Sequence, residues 1–107
     1  MPRLLVSSLF LQDADFEWDD DKAARNFVRH GVSFERARLA FADPCGVGEV
    51  DDREDHGEER FTLVGMVEGT LIFGAYTERG ERVRIVSARR ATKYEQDDYF
   101  QENGQAP

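Results

Sequence analysis

The feature that most constrains this chain is a change of hydrophobic period near residue 60. From there to about residue 88, apolar residues recur at every second position, in runs separated by glycine turns. Residues 60–68 and 70–78 are divided by Glu68-Gly69, and Arg79-Gly80-Glu81 leads into residues 82–88. Turns this short leave no room for a crossover, so three consecutive strands should pair as an antiparallel meander. Before residue 60 the period is helical. Asp19 or Asp20 can cap a helix running to about His30, with Ala23, Phe27 and His30 on its apolar face and Gly31 suited to a left-handed C′ position. Ser33 caps a second helix with the stripe Phe34, Ala37, Leu39 and Phe41, which Asp43-Pro44 stops. Phe16-Glu17-Trp18 alternates like a short strand, and residues 46–51 admit an edge strand within a solvated loop over 45–58. Thr92-Lys93-Tyr94-Glu95 is a capping box opening a last helix with Tyr94, Tyr99 and Phe100. The expected fold class is α+β, with an N-terminal αα-hairpin, an antiparallel β-meander sheet and a C-terminal helix.

At 107 residues the chain is sized for one domain, expected over residues 13–101 between an extension (1–12) and a frayed tail (102–107). A single cysteine, Cys45, excludes an internal disulfide, and with two histidines it also excludes a Cys/His zinc cage within one chain. The run of residues 4–11 is apolar but too short to span a membrane, and an acidic stretch follows it where a signal peptide would carry a cleavage site. A cytoplasmic protein with no membrane partner, metal or cofactor is the expectation.

Fourteen basic and 22 acidic residues leave a net charge of −8, which rules out a uniformly basic nucleic-acid coat. The charges are segregated, however. Asp13, Asp15, Glu17, Asp19, Asp20 and Asp21 form an acidic run without a base. Residues 49–59 are also acidic, whereas residues 79–93 carry Arg79, Arg82, Arg84, Arg89, Arg90 and Lys93 against Glu81 alone. A basic face on an acidic body is therefore possible.

The arginine-rich segment carries the most chemistry. In a regular strand Arg82, Arg84, Val86 and Ala88 would share one face and Val83, Ile85 and Ser87 the other, the latter facing the core. Arg89-Arg90 falls where that strand meets the last helix, a place with guanidinium forks and free backbone N–H groups for an anion. Surface pairing with the many acids is the plainer reading of each arginine. Glu59-Arg60 opens the first meander strand and offers either a base beside a phosphate ligand or a strand-edge ion pair. His30 can serve a site or simply cap helix carbonyls, and His56 lies in an acidic loop. The acids at 51, 52, 54 and 55 lack the spacing of a calcium loop. Trp18 reads as a core aromatic.

Phe16-Glu17-Trp18-Asp19, then Lys22, Asn26 and His30-Gly31-Val32-Ser33-Phe34-Glu35, resemble the opening of BrnT-type toxins. The resemblance continues through Ala37, Phe41, Asp43-Pro44, Glu59-Arg60, Gly65 and Tyr76-Thr77-Glu78-Arg79. It closes with residues 84–92, Glu95 and Tyr99, in family order across roughly residues 16–99. It implies a type II toxin with a RelE-like ribonuclease fold that cleaves RNA and arrests translation. The implied partner is a BrnA-like ribbon-helix-helix antitoxin, through which the complex would bind operator DNA and repress its own promoter.

Metal-free RNA cleavage needs a base for the 2′-hydroxyl, cations for the phosphorane and an acid for the leaving oxygen. On the matching positions, Arg60, Arg79 and Arg89 are assigned to phosphate and transition-state contacts, and Glu59 to the base, with His30 and His56 as alternatives. Lys22 and His30 are candidates to complete the site. Arg84, Arg90 and Lys93 are outer RNA contacts. The acidic total leaves a second reading open, an attenuated homologue that binds the antitoxin but cleaves poorly.

Overall fold

A computed structural model describes residues 15–51 and 58–105. The extension (1–12), His56 and most of the acidic run at 51–55 thus lie outside the described residues. The elements in order are β1 (Phe16–Glu17), α1 (Asp20–His30), α2 (Phe34–Ala37) passing into a 3-10 helix (Arg38–Ala42), β2 (Val47–Asp51), β3 (Arg60–Val67), β4 (Thr70–Arg79), β5 (Arg82–Arg90) and α3 (Lys93–Glu102). The class is α+β. One five-stranded sheet in the order β1-β5-β4-β3-β2 carries the helices.

The expected meander of β3, β4 and β5 is present, and β2 extends it antiparallel at one edge. The sheet is not wholly antiparallel, because β1 joins the other edge parallel to β5, pairing Phe16 with Val83 and Glu17 with Arg84. The whole meander can be built from hairpins, whereas β1 reaches β5 only through the tertiary fold.

The helix signals hold at the caps. Asp19 accepts from the Lys22 backbone N–H at 3.0 Å, and Gly31 closes α1 in the left-handed region at φ 71°. Ser33 accepts from Arg36 N–H at 3.0 Å, and both bonds of the Thr92/Glu95 capping box form at the start of α3. The helix faces depart from expectation. On α1, Phe27 and His30 point outward, and the buried residue is Asn26. Its side chain accepts from Ala88 N–H (3.1 Å) and donates to Ala88 O (2.8 Å) and Val32 O (3.0 Å). β1 is too short to cover the β5 edge at Ala88, so the Asn26 amide takes the bonding position of a further strand residue. The second helix is a single α-turn before the 3-10 segment. That tighter winding brings Ala40 and Phe41 inward and turns Leu39 out.

Between the sheet and α1/α2 lies the larger core, with Phe34, Phe41, Leu63, Ile72, Tyr76, Ile85 and Ala88. Gly65 permits the 3-10 segment to cross β3 here, since a Cβ on it would stand 2.4 Å from the Ala40 carbonyl oxygen. The opposite face holds a smaller core of Val64, Leu71, Ala91 and Tyr99, covered by α3. Asp43 ties these parts together, accepting from Tyr99 Oη (2.7 Å), Met66 N–H (2.8 Å) and Cys45 N–H (2.8 Å). Asn103, at the start of the expected tail, donates to Cys45 O and Tyr99 O.

Candidate functional site

Strand register decides which side chains share the α3 face of the sheet. Residues paired across strands point to the same side. One row across the sheet runs Glu17–Arg84–Thr77–Arg60–Asp51, through every strand. Arg79 pairs with Arg82 one row toward the end of the sheet. In the other direction lie Ser87, Ala75, Thr62 and Glu49, then Arg89, Phe73, Val64 and Val47. The apolar cluster under α3 draws on Val64, Phe73 and Val47. The face is therefore split. One end is a core under a helix, and the other is a polar surface holding several arginines.

A bulge in β5 sets this arrangement. Ala75 pairs with Ser87 but Tyr76 pairs with Ile85, so Val86 has no partner on β4. The extra residue inverts the alternation. Ala88 thus falls on the core face with Val83 and Ile85, fully buried, whereas Ser87 and Arg89 share the α3 face with Arg82 and Arg84. The face assignment expected from an unbroken strand is corrected accordingly beyond Ile85. A single-residue slip is invisible to a period-two reading because both phases here place an apolar residue inward.

Arg84 and Arg79 each hold a carboxylate. Arg84 donates to Glu17 at 2.7 Å. Arg79 makes a bidentate pair with Glu58 at 3.1 and 2.9 Å. This hydrogen bond to the guanidinium holds the Glu58 carboxyl below the usual range, and the charges of Arg60 and Arg84 act in the same direction. Asp19, beside them, is lowered first by the Lys22 N–H and also by the Arg84 charge. Arg60, Arg79, Arg84, Glu17, Glu58 and Asp19 thus form one electrostatic neighbourhood.

Two buried atoms in this row have no hydrogen-bond partner among the described residues: Thr77 Oγ1 and Arg60 Nε. They belong to directly opposed residues of β4 and β3. Thr77 is 1% exposed. Leaving such a group unpaired costs about 1–3 kcal/mol, so two together call for an explanation.

The sequence-predicted residues separate clearly. Arg60, Arg79 and Arg84 come together. Arg89 shares their face but pairs with Phe73, four positions along β4 from Thr77, about 13 Å away. There it makes a bidentate bond to Glu95 (2.8 and 3.0 Å) and stacks 4.0 Å over the Phe73 ring. Burial raises the Glu95 carboxyl, but Arg89 and the Thr92 N–H more than offset it, for a net lowering. Arg90 pairs with Ile72, on the core side, and is exposed at the strand end. Lys93 is exposed in the first turn of α3 and pairs with Asp97. Lys22 lies in the first turn of α1, beside Asp19, whereas His30 ends that helix about 12 Å further on. Glu59 is exposed directly before Arg60. Among the described residues, no group of three or more His, Cys, Asp or Glu side chains is arranged to hold a metal ion.

Sequence reasoning did not place Glu17, Glu58 or Thr77 in this site. Glu17 and Thr77 occur within the strings that carry the family resemblance, but only strand register shows that they share a row.

Residues 18–95 match the family described as the ribonuclease toxin BrnT of type II toxin–antitoxin systems. The chain belongs to the BrnT family. The match begins directly after β1, ends in the first turn of α3 and includes every member of the arginine row except Glu17. A search of curated proteins returned no match. BrnT-family membership makes the chain a ribonuclease toxin with an antitoxin as its partner. No helix among the described residues is long and apolar enough to cross a membrane.

Proposed function

We propose that this toxin binds single-stranded RNA on the uncovered end of the α3 face and cleaves it by attack of a 2′-hydroxyl on the adjacent phosphorus, without a metal. The observation that carries this reading is the convergence of Arg60, Arg79 and Arg84 on one surface of an otherwise acidic protein. Guanidinium groups bind phosphate through paired N–H donors and stay charged throughout the reaction, so they can stabilise the phosphorane as a bound cation would. Glu58 is the carboxylate best joined to them and serves as the base. While it holds Arg79 it is a weak base. A phosphate that takes over Arg79 releases Glu58, whose pKa then rises toward the ordinary carboxylate range and improves proton transfer. Glu59 is the alternative acceptor. Arg89 supports the site by fixing the junction of β5 and α3, and Lys22 lies at its rim.

In this reading the toxin arrests translation in the cytoplasm, has a RelE-like fold, and is neutralised by a BrnA-like ribbon-helix-helix antitoxin. That antitoxin carries the complex to its operator for autorepression. The occupied arginines favour a second reading. Arg79, Arg84 and Arg89 all hold carboxylates of the same chain, as they would in an attenuated homologue retained for antitoxin binding.

Induced expression with and without the neighbouring antitoxin, beside an Arg79→Ala variant, tests the two. Growth arrest with RNA loss, relieved by the antitoxin and by the substitution, supports the ribonuclease. Normal growth with folded protein that still captures the antitoxin supports the binding module. With about four phosphate contacts, log affinity for single-stranded RNA falls against log salt with a slope near −3.

A further inference from the structure

Thr77 and Arg60 stand opposite one another at the centre of the polar row, and each buries a polar atom that has no partner among the described residues. The chemistry of the two atoms narrows what can fill the gap. Arginine Nε–H only donates, and the threonine hydroxyl can donate beside it. A cation cannot satisfy this pair. One acceptor group with several oxygens can, and the flanking charges of Arg79 and Arg84 favour an anion. Those two guanidiniums already hold carboxylate oxygens at 2.7–3.1 Å, so anionic oxygen is accommodated at this surface. Valine has the shape of threonine without the unsatisfied hydroxyl, so packing alone gives no reason for Thr77.

We propose that the Thr77 hydroxyl and Arg60 Nε–H are the inner donors of a seat for one phosphate group, beneath Arg79 and Arg84. The inference rests on reading this face as the RNA site, and names the two groups that receive the reacting phosphate there. The seat opens by exchange. Arg79 and Arg84, with side chains 47% and 29% exposed, release Glu58 and Glu17 and turn to phosphate oxygens. This uncovers the hydroxyl below. Thr77 and Arg60 thereby distinguish a phosphate that enters the row from one that touches only its rim.

The test uses the full chain and the variants Thr77→Val, Thr77→Ser and Arg60→Lys, which keeps the charge but lacks the Nε donor. Inorganic phosphate replaces chloride at constant ionic strength, and the rise in thermal midpoint reports its affinity. Cleavage of a labelled single-stranded RNA transcript is followed in parallel. Thr77→Val should unfold at or above the wild-type temperature without phosphate, bind phosphate about tenfold more weakly, and lose at least about tenfold in kcat/KM. Thr77→Ser should restore both, and Arg60→Lys should resemble Thr77→Val.

Equal phosphate affinity in wild type, Thr77→Val and Arg60→Lys overturns the seat. So does a marked fall in the thermal midpoint of Thr77→Val, which would show that the hydroxyl has a structural partner. Phosphate binding that depends on Thr77, in a wild-type protein that leaves RNA intact, supports the seat and removes the ribonuclease assignment. RNA cleavage indifferent to Thr77→Val removes the seat and leaves that assignment standing.

Discussion

The two faces of the sheet bury polar groups in opposite ways. On the side of α1 and α2, Asn26 enters the core and makes three hydrogen bonds, completing the unpaired edge of β5 at Ala88. On the α3 side, Thr77 is buried more deeply but has no partner among the described residues, as is true of Arg60 Nε beside it. Folding alone accounts for Asn26, because an amide with its bonds formed stabilises the structure that buries it. It does not account for Thr77. In the proposed seat, that difference marks a local cost that a bound phosphate would relieve.

Substitutions should separate these regions by the size of their effect on stability. Asn26→Ala has the largest expected effect, about 3 kcal/mol, since it removes three bonds and leaves the Ala88 N–H and C=O unsatisfied in the interior. Chemical denaturation measures this, and a loss below about 1 kcal/mol would mean that another group or water covers the β5 edge. Gly65→Ala follows at about 2 kcal/mol, because the new methyl meets the Ala40 carbonyl, which belongs to the backbone and yields only if the 3-10 segment moves off β3. An unchanged unfolding midpoint would show that this crossing is loose.

A pH titration sharpens the comparison on the core side. Burial raises the Tyr76 hydroxyl from 10.0 to about 12. The unfolded chain then loses its tyrosine proton before the folded chain does, so stability is full below pH 10 and declines as pH rises from 10 to 12. Tyr76→Phe should flatten that decline. An unchanged slope would assign it to Tyr99, which is raised first by burial and then by its bond to Asp43. The smallest effect is expected from Arg79→Ala. Its pair with Glu58 is exposed, so the thermal midpoint should stay in place while RNA cleavage falls. A large drop in the midpoint would make Arg79 a structural residue and weaken its assignment to RNA.

How far these regions were legible in the sequence depends on the range of the interactions that build them. The caps at Asp19, Ser33 and Thr92, the left-handed turn at Gly31 and the meander strands rest on neighbours within a few residues, and the structure reproduces them. The inward face of α1 is not legible in the sequence, since Phe27 is the obvious apolar residue and Asn26 is inward only because β1 leaves part of β5 uncovered. Residue type and family resemblance single out Arg60 and Arg79 for the phosphate, with Arg84 only as an outer contact. Arg89 and His30 were grouped with them, although the fold sets them at distances that sequence order does not reveal.

The sequence by itself determined the α+β class, the helix ends, the meander and membership in a ribonuclease toxin family, because local periodicity, capping and motif order carry that information. Tertiary structure alone decided that β1 runs parallel to β5, that a bulge at Val86 reverses the faces of the arginine strand beyond Ile85, and that Thr77 is buried between Arg60 and Arg84 with no partner among the described residues. The reason is physical. A strand's faces and a helix's caps depend on neighbouring residues, but a row across five strands depends on a register that no single strand contains.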